Sequence, residues 1–77
     1  MSVELVEFLV KSVVSDTDNV KVVETVDADR VDYKVSVAKD DVGRFIGRNG
    51  QTVGAIRTLV SAAARRQGLR ATVDTDE

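Results

Sequence analysis

Seventy-seven residues without cysteine or histidine leave no disulfide, no Cys/His zinc site and no His- or Cys-based catalytic pair, so only carboxylate, Lys or Ser/Thr chemistry is open. One small domain, residues 1–77, is expected at this length, close to the lower limit for a single apolar core. The net charge of −2 argues against a polyanionic partner only if it is evenly spread, and it is not: residues 44–70 hold six arginines and no acid, while residues 1–43 hold five bases and ten acids and residues 71–77 three acids.

The first element is an amphipathic helix over residues 3–14. Val3, Val6, Leu9, Val10, Val13 and Val14 recur at spacings of three and four opposite Glu4, Glu7 and Lys11, which is the helical rather than the strand period. Ser2 suits its N-cap and Glu4 its first turn. The charges break the apolar stretch, which is neither an export signal nor a membrane span, so a soluble, cytoplasmic protein is expected.

Residues 15–19 are a polar loop, and the β-branched residues 20–26 read as a strand. After a turn at 27–30, Val31, Tyr33, Val35 and Val37 alternate with Asp32, Lys34 and Ser36, which predicts a hairpin with one buried face. Tyr33 is expected in the core with its hydroxyl at the rim. Asp40 or Asp41 then caps a short helix that turns Val42, Phe45 and Ile46 to the core and ends at Gly47.

A third helix over residues 51–67 gathers Val53, Ile56, Val60, Ala63 and Ala64 on one stripe, and Gly68 stops it. Leu69, Ala71 and Val73 form a last strand, and residues 75–77 are expected to fray. The order αββααβ predicts an α+β domain, a three-stranded sheet with three helices on one face.

The chemistry gathers in Gly47-Arg48-Asn49-Gly50, between two helices. Glycines let the main chain approach a polyanion without Cβ obstruction, and the next helix brings its unpaired N–H groups and positive dipole end to the same place. Arg48 adds charge, while Asn49 donates to phosphate or tolerates a positive φ. A phosphate-loop ATPase is excluded, because Gly50-Gln51-Thr52 lacks the required Lys. Asp40-Asp41 has no accompanying base or metal set. No enzymatic activity and no cofactor are expected.

The run Val42-Gly43-Arg44-Phe45-Ile46-Gly47-Arg48-Asn49-Gly50-Gln51-Thr52-Val53 resembles the signature of KH domains, whose Gly-X-X-Gly loop clamps about four nucleotides of backbone. The element order is similar to the type II arrangement, over nearly the whole chain. The segment 41–50 with Ala55-Ile56-Arg57-Thr58-Leu59-Val60 resembles the KhpA family of small bacterial single-KH proteins. That resemblance implies cytoplasmic RNA binding or RNA chaperoning, self-association or pairing with a KhpB-like KH partner, and a link to cell shape and the cell wall. On this reading Gly47, Arg48, Asn49, Gly50 and Gln51 hold phosphates and Arg44 flanks the strand. Val42, Gly43, Ile46 and Val53 offer an apolar shelf to bases, with the strand at residues 34–37 as its far wall. Phe45 and Ile46 also serve as core. Gly43 either admits a base or sugar or permits tight helix packing. Few aromatics imply a short single strand held with weak sequence preference.

A protein-interaction module with secondary RNA binding is the alternative. Ala55, Leu59 and Ala62 form a second stripe beside the core face of the third helix, next to Arg66. A Leu framed by small residues suits a helix-to-helix dimer contact, unless the helix is broad-faced and Leu59 is core. Arg65, Arg66 and Arg70 either join the basic site or merely complement the helix dipole.

Overall fold

A computed structural model describes residues 3–76; the expected cap at Ser2 and the last residue lie outside the described residues. Helix α1 is Val3–Lys11, strands β1 and β2 are Lys21–Asp27 and Arg30–Ser36, helices α2 and α3 are Val42–Ile46 and Gln51–Arg65, and strand β3 is Arg70–Thr75. The sheet order is β1-β2-β3. β1 runs antiparallel to β2, Val22 opposite Val35 and Asp27 opposite Arg30. β3 runs parallel to β2, Val31 opposite Ala71 and Tyr33 opposite Val73. A parallel pair needs a crossover, and α2 and α3 supply it.

The period-2 pattern of β2 is obeyed: Val31, Tyr33 and Val35 are buried while Lys34 is exposed. They meet Val6 and Val10 of α1, Phe45 of α2, Val53, Ile56 and Val60 of α3, and Val73 of β3 in one core. β1 is an edge strand, and only Val22 of its residues packs on that core; Val23, opposite Lys34 on the open face, and Val26 at the hairpin end stay exposed. The Tyr33 hydroxyl donates to Glu24 Oε2 at 2.7 Å. Burial first, then that bond, push its phenol well above the usual range.

Two helix boundaries are shorter than expected. α1 ends at Lys11 because its last turn tightens, the Val13 amide donating to Val10 O, yet Val13 and Val14 still pack on the core. α3 ends at Arg65, and Gly68 completes the stop at φ +75°, with the Leu69 amide donating to Ala64 O.

Two expectations around α2 are corrected. Neither carboxylate at positions 40 and 41 caps it. Asp41 lies at the end of a 3₁₀ turn, Lys39–Asp41, that runs straight into α2, and its side chain makes no cap bond. It reaches back across the chain to accept the amides of Ser15 at 3.0 Å and Asp16 at 2.8 Å, and is itself buried. Ile46 is exposed rather than core; consecutive helical residues diverge by 100°, so a five-residue helix that buries Phe45 turns Ile46 aside.

Candidate nucleic-acid interface

The stretch from Gly47 to Gly50 is a tight turn between α2 and α3. Gly47 adopts φ +78°, ψ 171°, Asn49 φ +56°, ψ 28°, and Gly50 φ +74°, ψ 14°. The first lies in a region essentially confined to glycine; Asn is the side chain best suited to the second. A Cβ on Gly47 would lie 2.6 Å from Thr52 Cβ and 2.8 Å from Thr52 N, whereas one on Gly50 would meet nothing within 4 Å. The first glycine is therefore required by backbone and packing, the second by backbone alone. Thr52, which sets this constraint, was not singled out in the sequence, because a threonine one residue into a helix has no distinguishing pattern.

The turn is closed by the Gly50 amide on Gly47 O at 3.1 Å, the Gly47 amide on Gly43 O at 2.8 Å and the Gln51 amide on Arg48 O. Among the described residues no side chain caps the start of α3, so the positive end of a 15-residue helix faces the turn. Arg48 and Asn49 project into solvent. Arg48 has no ion-pair or hydrogen-bond partner among the described residues.

Arg44 is differently placed. Its Nη1 donates to Asp40 O at 3.2 Å and to Asp41 Oδ1 at 3.1 Å, yet over half of its side chain remains open to solvent. The Ser15 and Asp16 amides, with a smaller contribution from Arg44, hold the Asp41 carboxyl below the usual carboxylate range. Asp41 thus ties the loop after α1 to the helix that delivers the glycine turn. Sequence pattern did not separate this anchor from an ordinary cap.

Of the apolar shelf, Gly43 and Ile46 are exposed and Val42 half-buried. A Cβ on Gly43 would meet nothing within 4 Å, which removes tight packing as the reason for that glycine. Val53 is 6% exposed and belongs to the core, so it offers a base little surface. Val42 and Phe45 meet Val35, Ser36, Val37, Thr75 and Asp76 in a small cleft of about 40 Å³.

Ala55, Leu59, Ala62 and Arg66 are all exposed on α3, and Leu59, 55% exposed, is not a core residue. Arg57, by contrast, is tied to the sheet, its Nε donating to Val73 O at 2.8 Å and its Nη2 lying 3.5 Å from Asp74 Oδ1. Among the described residues no helix is long and apolar enough to cross a membrane.

A three-stranded mixed sheet with helices α1–α3 laid on it, and a Gly-X-X-Gly turn joining its second and third helices, defines a KH-like domain. The family model of the KhpA/KhpB KH domain matches residues 3–75. The RNA-binding protein KhpA of Chlamydia pneumoniae is 34% identical over 74 residues, 96% of this chain and 95% of that protein. Those of Halalkalibacterium halodurans and Borreliella burgdorferi are 39% identical over 70 residues and 40% identical over 68, covering 91% and 88% of this chain and 92% and 83% of theirs. The chain belongs to the KhpA/KhpB KH-domain family. No solved structure matches it.

Proposed function

We propose that the protein binds single-stranded RNA, clamping the sugar-phosphate backbone at Gly47-Arg48-Asn49-Gly50. The observation that carries this reading is the turn itself: two glycines and an Asn at positive φ, an exposed Arg48 and the start of α3, neither with a side-chain partner among the described residues, share one open surface. Such a surface recognises phosphate through main-chain N–H groups and one guanidinium. Gln51 and Arg44 flank the strand, Arg44 through the face of its guanidinium not engaged by Asp41. Val42, Gly43 and Ile46 support bases from below. Aliphatic support without aromatic stacking favours weak sequence preference, which suits a cytoplasmic RNA chaperone; the relatives' names say RNA-binding and support the same class.

The working form on this reading is a homodimer or a pair with a KhpB-like KH domain, joined through Ala55, Leu59, Ala62 and Arg66. The exposure of Leu59 among small side chains supports that contact and equally supports the second reading, an interaction module linked to cell shape with secondary RNA binding. The decisive experiment replaces Arg48 and Asn49 together with Asp and titrates a labelled single-stranded oligonucleotide, with thermal melts alongside. Binding should be lost while the fold persists. Unchanged affinity in the folded variant would reject the turn as the site and leave the interaction reading.

A further inference from the structure

At the opposite end of α3 from the glycine turn, Ser61 and Arg65 of the helix face Leu69, Arg70 and Ala71 across an open cleft of about 420 Å³. Most arginines elsewhere in the described chain are engaged: Arg30 with Asp32, Arg44 with Asp41, Arg57 with Val73 O and Asp74. The side chains of Arg65 and Arg70 have no such partner among the described residues, and no acid occurs between Asp41 and Asp74. Two arginines whose side chains have no partner among the described residues thus line one cleft together with Ser61, Leu69 and Ala71. If these arginines served only the helix dipole, Arg70, already in β3, would have no reason to line the same cleft as Arg65.

We infer that the cleft of Ser61, Arg65, Leu69 and Arg70 is a second phosphate-binding subsite, which takes the continuation of an RNA strand held at the glycine turn. The inference rests on the proposed function for its ligand. Charge complementarity selects a polyanion, and the sheet edge argues for nucleic acid over an extended acidic peptide. The Arg70 amide donates to Asp29 O, just before β2, and the Asp76 amide to Val35 O of β2, so the alternate residues Ala71 and Val73 turn their main-chain groups to the outer edge. Arg57 already occupies the Val73 carbonyl, which obstructs strand addition along β3. An RNA backbone needs no such edge and uses the guanidiniums alone.

The 15 residues of α3 separate the two sites by about 22 Å at 1.5 Å per residue. A stacked tetranucleotide spans about 14 Å at 3.4 Å per nucleotide and stays at one site, whereas a dodecamer, about 40 Å, reaches both.

The test compares oligouridylates of four and twelve nucleotides on wild type and on Arg65→Gln/Arg70→Gln, with Lys11→Gln, an exposed position of α1, as a charge control outside the cleft. Two phosphate contacts at a salt exponent of about −0.7 each correspond to roughly 25-fold in affinity at 0.1 M salt relative to 1 M. The double variant should therefore lose roughly 25-fold on the dodecamer, its log–log salt slope becoming shallower by about 1.4, and bind the tetramer as wild type does; Lys11→Gln should change neither. Melts of each variant exclude a folding effect. Equal losses on both lengths, no loss on the dodecamer, or an equal effect of Lys11→Gln overturn the subsite. So does a polyglutamate that binds through Arg65 and Arg70 while RNA affinity is unaltered. Loss of dodecamer binding in Arg48→Asp/Asn49→Asp but not in Arg65→Gln/Arg70→Gln rejects the subsite alone; a wild type that takes neither length removes the glycine-turn reading and the subsite with it.

Discussion

Replacing Gly47 with Ala separates the two glycines of the turn by a measurable amount. At φ +78°, ψ 171° an L residue occupies a region costing of order 1–3 kcal/mol. The added methyl would also sit 2.6 Å from Thr52 Cβ and 2.8 Å from Thr52 N, an overpacking that typically costs a further ~1–3 kcal/mol. The combined loss, about 2–6 kcal/mol, lowers Tm by at least about 8 °C in a domain of this size, at about 4 °C or more per kcal/mol. Gly50→Ala meets no neighbour and costs only the left-handed conformation, about 1–2 kcal/mol or roughly 4–16 °C. Melts followed by far-ultraviolet circular dichroism at pH 7 give both values directly. Adding Thr52→Ala to Gly47→Ala should restore only part of the loss, because the Thr52 amide nitrogen stays where it is. A Gly47→Ala variant no less stable than Gly50→Ala would refute the account of why the turn needs its first glycine.

Two further outcomes are expected. The carboxyl of Asp41 is held below its ordinary value of 3.8, so its stabilising effect is present above that pH and fades as pH falls through the lowered folded-state value; Asp41→Asn should melt lower at pH 7 and lose less between pH 4 and pH 2 than wild type, and identical melts at pH 7 would show that the contacts to Ser15 and Asp16 hold nothing. Leu59→Lys should convert a dimer to monomer in analytical ultracentrifugation while the spectrum stays folded, weakening association by at least about tenfold if the leucine is buried by a partner; a wild type monomeric at every concentration and without a partner would dismiss the contact.

Periodicity and glycine placement in the sequence determined the six elements, their order and the turn that defines the family. Alternation at Val31, Tyr33 and Val35 could only mean a half-buried strand, and Gly47 and Gly50 around two polar residues could only be accommodated between helices. These are local matters, set by side-chain period and by φ, and they survive into the structure nearly unchanged. Tertiary packing alone decided the rest. Ile46 and Phe45 look equally apolar in sequence, but a five-residue helix has one buried face and Phe45 fills it. Asp41 looks like a cap, yet its partners are amides about 25 residues away. Val53 reads as an available shelf until α3 is laid on the sheet and covers it. The cleft shared by Arg65 and Arg70 exists only because a parallel β3 returns beside the end of α3, a pairing between distant segments that no local pattern encodes.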